Sequence, residues 1–175
     1  METIIVSLVC VALIVFGGMT MSQGFLSSVD SSTTSWTEMG ERNVEVMRTE
    51  LSTLSANLTS ANFLEVALQN SGQTKLHGFD KWDVIVQYYD AGGSYYVSWL
   101  PYTEGTPGNN EWTVKGIYID WENQTLEVFD PGILNPGEEI VIEAKLSPPV
   151  GKNTTNLAVT STPNGVSASS YFSRF

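Results

Sequence analysis

The sequence predicts a protein of the α+β class: a long, hydrophobic N-terminal α-helix followed by an antiparallel β-sandwich. No charged residue occurs between Glu2 and Asp30, which is typical of a helix that is kept away from water. After residue 58 the apolar residues alternate with polar ones, and turn residues recur roughly every eight to fifteen positions. This change of period indicates short strands that pack face to face.

The first element is the apolar segment over residues 3–21. As an α-helix it is about 28 Å long, which is close to the hydrocarbon thickness of a bilayer. A helix that is apolar on every side is stable only in lipid or in a bundle with copies of itself. The segment is therefore predicted to be a membrane anchor or an assembly core.

A secretory signal peptide is the alternative for this segment. Signal peptides have a basic start, an apolar region of about 7–15 residues and a small-residue cleavage site. Here the first basic residue is Arg42, and no such cleavage site follows. We expect the segment to be retained, and either a basic leader before Met1 was removed or the chain enters the membrane by another route.

Residues 22–57 are predicted to continue the same helix. Residues 22–37 are rich in Ser and Thr, which are indifferent helix formers, but contain no proline. Apolar residues then recur near three- and four-residue spacing: Trp36, Met39, Val44, Val46, Met47, Leu51, Leu54 and Leu58. The predicted domains are a helix over residues 1–57 and a sandwich over residues 58–175. If the helix is interrupted, Gly17, Gly18 and Gly24 are the expected places.

The sandwich is predicted from short segments with strand character. Alternation is clearest in residues 82–90, where Trp82, Val84, Val86 and Tyr88 fall on one face. The predicted strands are 63–70, 82–90, 94–100, 112–121, 126–129, 139–146, 156–161 and 165–172. Strands of this number and length favour an immunoglobulin-like sandwich.

Composition limits the classes of partner and of chemistry. The formal net charge is −11 and the 8 basic residues are scattered, so the sequence predicts no binding to nucleic acid. Cys10 is the single cysteine, which excludes an intrachain disulfide. A strongly acidic, Ser- and Thr-rich surface is typical of a secreted domain.

The sequence offers little for catalysis or metal binding. His77, the only histidine, lies in Lys75-Leu76-His77-Gly78 without a nucleophile-elbow motif, which favours an ordinary loop residue. Zinc ligands are lacking. The acidic turns Asp120-Trp121-Glu122 and Gly137-Glu138-Glu139 do not have the spacing of a calcium-binding loop. We therefore predict no catalytic, cofactor or metal site and no enzymatic activity.

An aromatic band has two interpretations. Its members are Trp82, Tyr88, Tyr89, Tyr95, Tyr96, Trp99, Tyr102, Trp112, Tyr118 and Trp121. Alternating strand aromatics usually fill the core with one member and face a neighbouring subunit with the next. The alternative is a surface of rings that binds sugars.

Three sequons are candidate N-glycosylation sites: Asn57-Leu58-Thr59, Asn123-Gln124-Thr125 and Asn153-Thr154-Thr155. We expect higher occupancy at Asn123 and Asn153, which fall in turns. Occupancy should be lower at Asn57, because the helix end there is expected to pack beneath the sandwich. The alternative is that all three are ordinary turn residues.

The architecture resembles an archaellin, the filament subunit of the archaeal flagellum, within the type IV pilin-like superfamily. The resemblance rests on the apolar N-terminus and on four short motifs: Val66-Ala67-Leu68-Gln69-Asn70-Ser71-Gly72, Asp130-Pro131-Gly132, Asn135-Pro136-Gly137-Glu138 and Pro163-Asn164-Gly165-Val166. It implies that a prepilin-type peptidase removes a basic leader and that an assembly platform builds the filament. Many type IV pilins carry Glu at the fifth mature position, whereas here the only N-terminal acid is Glu2.

The resemblance implies a structural subunit of an extracellular archaellum filament used for motility. The subunit would wait in the cytoplasmic membrane and then join a homopolymer of identical copies. The residues expected in the filament core are Ile5, Leu8, Val9, Ala12, Leu13, Val15 and Phe16. The alternative is a pilin-like anchor or stator, or an adhesion pilus subunit, whose sandwich binds carbohydrate.

Overall fold

The structure is a computed structural model that describes residues 2–175. The chain divides into two units, one ending at Val44 and the other covering Glu45–Phe175. Over the described residues the elements are α1 Glu2–Arg48, β1 Leu51–Leu58, β2 Phe63–Asn70, a short 3-10 helix Phe79–Lys81, β3 Asp83–Tyr89, β4 Tyr95–Leu100, β5 Glu111–Asp120, β6 Thr125–Leu126, β7 Glu139–Lys145, β8 Thr154–Ser161 and β9 Ser167–Arg174.

The α1 helix is continuous, so none of its glycines interrupts it. Hydroxyl groups of its polar half donate to carbonyl oxygens one turn earlier. Thr33 Oγ1 lies 2.9 Å from the oxygen of Val29, and Thr34 Oγ1 lies 3.0 Å from the oxygen of Asp30. These hydroxyls therefore have hydrogen-bond partners within the helix itself.

The prediction of a helix through residue 57 is wrong, because α1 ends at Arg48 and residues 51–58 form β1. A β-bulge between Thr53 and Ser55 inserts one extra residue into the strand. Leu51, Leu54 and Leu58 have the three- and four-residue spacing of a helix, but the bulge accommodates this spacing within a strand. Leu51 is buried, while Leu54, at the bulge, is exposed.

Two antiparallel sheets confirm the predicted sandwich. The first has the strand order β1-β2-β7-β5-β6, and the second has the order β4-β3-β8-β9. All eight predicted strands are present, and their ends agree within two residues except for β6. The predicted strand 126–129 is wrong beyond Leu126 because the Glu127 carboxylate accepts hydrogen bonds from the backbone N–H groups of Phe129 and Asp130. These bonds turn the chain away from β5.

The core lies between the inner faces of the two sheets. Its largest fully buried side chains include Trp112, Tyr88, Leu64, Leu68, Leu100, Leu134, Ile140 and Ile142. The predicted shared face of β3 is confirmed, since Trp82, Val84, Val86 and Tyr88 are all buried. Burial of such side chains provides the main favourable free energy of folding.

The last turn of α1 belongs to the sandwich unit and is fixed to it by hydrogen bonds. The backbone N–H of Gln73 donates to the Arg48 carbonyl at 2.7 Å. Asn164 Nδ2 donates to Thr49 Oγ1 at 2.8 Å, and Thr49 Oγ1 donates to the Glu45 carbonyl at the same distance. The carbonyls at the C-terminus of a helix need such partners. The helix end is therefore a specified part of the sandwich fold.

Candidate functional site: the apolar helix and the outer sheet face

The first candidate surface is the apolar half of α1. The predicted filament-core residues are all helical and exposed in the single chain, with exposed fractions between 50% and 72% for Ile5, Leu8, Val9, Leu13, Val15 and Phe16, and Ala12 is exposed as well. Over Thr3–Arg48 the helix is long and apolar enough to cross a membrane, although a signal sequence would meet the same criterion. Apolar side chains exposed to this degree need lipid or other protein around them.

The second candidate surface is the outer face of the four-stranded sheet. The aromatic band divides as the alternation predicts: Tyr88 on β3 is buried, whereas its neighbour Tyr89 is exposed. On β4, which is an edge strand, Tyr95, Val97 and Trp99 are exposed on this face. Exposed aromatic side chains on an edge strand are typical of a binding surface.

An open groove of about 290 Å³ lies on this face, lined by Gln87, Tyr89, Tyr95, Thr155, Asn156, Leu157 and Tyr171. We call it the tyrosine groove. The rings of Tyr89 and Tyr95 lie 5.0 Å apart between centroids and are tilted by 46°. Tyr95 Oη donates to Gln87 Oε1 at 2.9 Å. These contacts hold two of the aromatic rings in place beside a polar amide.

The three sequon asparagines are all exposed. Asn153 has a left-handed backbone with φ 56°, which Asn adopts readily in turns. Asn57 lies on β1, opposite Glu65 of β2, so it is not at a helix end beneath the sandwich. The physical reason for expecting lower occupancy at Asn57 is therefore wrong.

Asn123 is engaged by a carboxylate. Its backbone N–H donates to Asp120 Oδ1 at 2.9 Å and its Nδ2 donates to Asp120 Oδ2 at 2.7 Å. These hydrogen bonds from Asn123 lower the pKa of Asp120 below its ordinary value. The turn from Asp120 to Asn123 therefore fixes the orientation of Asn123 Nδ2, the atom that would carry a glycan.

The residues considered for catalysis and metal binding are His77 and the two acidic turns. His77 is an exposed loop residue next to Leu76, which pairs with Leu134. Among residues 2–175 no three side chains of His, Cys, Asp or Glu are close enough together to hold a metal ion. Glu139, from one acidic turn, instead accepts a hydrogen bond from the Trp121 N–H at 2.7 Å.

Tyr88 and Lys115 of the sandwich have raised pKa values. Burial, helped by Tyr96 and Asp90, raises the pKa of Tyr88 to about 12. The side-chain hydrogen bond to Glu65 raises the pKa of Lys115. Tyr88 lies in the core and Lys115 in a surface ion pair. Burial therefore explains the raised pKa of Tyr88, and the hydrogen bond with Glu65 explains the raised pKa of Lys115.

No protein-family model and no curated protein sequence matches this chain. Solved structures do match this chain, and two of them are from Sulfolobus acidocaldarius. One is the archaellum periplasmic stator protein complex of FlaF and FlaG, with a TM-score of 0.52 and 25% identity over 71% of this chain and 89% of that chain. The other is the archaellum periplasmic stator protein FlaG, with the same score and identity over 71% of this chain and 99% of that chain. The chain shares the fold of archaellum stator proteins.

Sequence reasoning missed five lining residues of the tyrosine groove: Gln87, Thr155, Asn156, Leu157 and Tyr171. Tyr171 was absent from the aromatic band, yet it lies opposite Leu157 on the exposed face. The available signal was its position in β9. Tyr171 is an odd number of residues from both Ala168 and Phe172, which are buried, so its side chain lies on the opposite face. Gln87 and Asn156 carried no signal, because a polar residue within a strand does not reveal what faces it across the sheet.

Proposed function

We propose that this chain is a non-enzymatic, membrane-anchored component of the archaellum machinery, of the anchor or stator kind. In this proposal the apolar half of α1 lies in the membrane and the sandwich lies in the cell envelope, where it binds other archaellum components. The observation that carries it is the structural likeness to two archaellum periplasmic stator proteins.

The likeness favours the anchor over the archaellin filament subunit that the sequence resemblance implied. Both reported structures are stator proteins, and one is a complex of two different proteins. We therefore propose different archaellum components, rather than identical copies, as the partners. A filament built from this chain, and a location outside the envelope, are the less supported interpretations.

The physical basis of the anchor is the asymmetry of α1. Its first half has no charge between Glu2 and Asp30, whereas the segment from Glu38 onward carries acids and arginines. The uncharged half of such a helix partitions into lipid. An acidic or basic residue at the centre of a membrane helix raises the free energy of insertion by about 2.5–3.5 kcal/mol on insertion scales. The charged segment is therefore expected to remain outside the hydrocarbon.

The test is a matched pair of charge substitutions followed by cell fractionation. Leu13→Glu places an acid in the apolar half and should reduce the amount of protein in the membrane fraction. Thr34→Glu places the same acid at an exposed position of the polar half and should leave it unchanged. Equal retention of both variants would argue against a membrane anchor.

A second measurement separates the anchor from the filament subunit. Filaments sheared from cells should contain little of this chain by mass spectrometry, and cells lacking it should still assemble filaments but should not swim. If the chain is instead the main protein of sheared filaments, the anchor proposal is wrong and the archaellin interpretation is correct.

A further inference from the structure

The tyrosine groove lies where the pairing of β3 with β8 ends. Their register runs from Asp83↔Ser161 to Gln87↔Leu157 and ends there. Two residues beyond Gln87, the Tyr89 N–H donates to Asn156 Oδ1 at 3.0 Å instead of to a β8 carbonyl. The groove is therefore built into the fold.

The side chain of Asn156 is held in place by further hydrogen bonds. It is 2% exposed, and its Nδ2 donates to the Thr154 carbonyl, to Thr154 Oγ1 and to the Phe172 carbonyl. A buried amide with these partners is costly to move, because each broken hydrogen bond leaves a desolvated polar group. Asn156 is thus a positioning residue that holds the Tyr89 backbone beside the groove.

Aromatic rings stand on both sides of the groove. Tyr89 and Tyr95 form one side, on β3 and β4, and Tyr171 of β9 forms the other. Leu157 of β8 lies between β3 and β9 and pairs with both Gln87 and Tyr171. Two strand spacings separate β3 from β9, which is about 10 Å. Leu157 therefore provides an apolar contact between the tyrosines of the two sides.

The groove also has unused hydrogen-bonding groups. Gln87 Oε1 accepts from Tyr95 Oη, but Gln87 Nε2 has no hydrogen-bond partner among residues 2–175. An amide NH₂ offers two donors. The exposed side chain of Thr155 adds a hydroxyl at the edge. A ligand with several hydroxyl groups would satisfy these donors and acceptors.

No charged side chain lines the groove, although the chain carries 19 acidic residues and a net charge of −11. An anionic ligand would be repelled by the protein as a whole, and a cationic ligand would find no carboxylate in the groove. The groove therefore suits a neutral ligand. Its volume is near the lower end of the range for small-molecule sites.

We propose that the tyrosine groove binds a neutral pyranose unit of a glycan. Such a ring has an apolar C–H face that packs on tyrosine and a rim of hydroxyl groups that pair with an amide and a hydroxyl. Gln87 and the three tyrosines are the binding residues, and Asn156 positions Tyr89. The proposal does not depend on the archaellum role, because the groove is formed within the sandwich unit alone.

The test uses the full chain in a zwitterionic detergent, since detergents with sugar headgroups would compete. The probes are chitotriose and mannotriose as neutral glycans, and trigalacturonic acid as a matched anionic one. Binding is measured by saturation-transfer NMR and by calorimetry. At least one neutral probe should bind, and trigalacturonic acid should bind more weakly.

Variants locate the site. Tyr171→Ala and Tyr89→Ala should each weaken binding of the neutral probe by about 2- to 13-fold, the loss expected for one aromatic contact. Tyr171→Phe keeps the ring and should bind nearly as the native chain does. Trp99→Ala removes an exposed aromatic residue from the same sheet outside the groove, and should have no effect. Circular dichroism and melting curves establish that each variant is folded.

Several results would overturn the proposal. One is the absence of binding by either neutral probe at about 10 mM, where even a weak site would be detected. Another is equal weakening by Trp99→Ala and Tyr171→Ala, which would place the site elsewhere. A third is binding of an oligoproline peptide, but of neither glycan, with the same dependence on Tyr171 and Tyr89. A fourth is loss of self-association on Tyr171→Ala without glycan binding, which would make the groove an interface between copies.

Discussion

Gly72 is the most constrained position at the junction between α1 and the sandwich. A Cβ atom placed there would lie 2.5 Å from the Glu50 nitrogen, 2.6 Å from the Arg48 carbonyl oxygen and 3.1 Å from the Thr49 carbonyl carbon. All three are backbone atoms, so no side chain can rotate away. The Gly72 N–H also donates to the Glu50 carbonyl at 3.2 Å. Any residue other than glycine must therefore move one backbone segment.

We expect Gly72→Ala to lower the free energy of unfolding of the sandwich by about 1–3 kcal/mol, the usual cost of forcing an extra carbon into a packed site. For a chain of this size, that is roughly 2–12 °C in melting temperature. The measurement is thermal unfolding by near-ultraviolet circular dichroism in detergent.

Gly40→Ala is the matched control, because a Cβ at Gly40 meets nothing within 4 Å. It should leave the melting temperature of the sandwich unchanged. If Gly72→Ala melts within about 1 °C of the native chain, below the shift that 1 kcal/mol would produce, the junction is not rigid and the reasoning is wrong.

Three further predictions concern titration and modification. Tyr88, fully buried and without a partner for its hydroxyl, has a folded-state pKa of about 12 against an ordinary 10.0, so its contribution to stability is complete below pH 10 and is lost as the pH rises towards 12. Tyr88→Phe should remove this part of the alkaline destabilisation in denaturant titrations and cost no stability at pH 7; an unchanged alkaline profile would contradict the assignment. Asn123→Ala should raise the pKa of Asp120 part of the way towards its ordinary value in a carboxyl NMR titration, because it removes the side-chain hydrogen bond from Asn123, while the backbone hydrogen bonds from Asn123 and Glu122 that also lower this pKa can persist; no change would mean that the backbone of the turn alone holds the charge. Peptide mass spectrometry of the protein from its native cells should find added hexose on at least one of Asn123, Asn153 and Asn57, and unmodified peptides at all three would reduce them to polar surface residues.

The sequence alone determined the type and order of most elements. A charge-free run long enough to cross a bilayer cannot fold as a soluble strand, and strict alternation, as in Trp82, Val84, Val86 and Tyr88, has one stable arrangement with that face in the core. These patterns are local, because they depend only on spacing and on which side chains avoid water. They predicted the sandwich, the long helix and eight of the nine strands.

Only the tertiary structure decided where α1 ends and what the sandwich presents to its surroundings. Leu51, Leu54 and Leu58 satisfy a helical period, and pairing with β2, together with one bulge, makes the same residues a strand. Gln87 and Tyr171 meet in one groove because β8 lies between their strands. Strand order and register come from contacts between residues far apart in the chain. The spacing of apolar residues within one segment does not determine them.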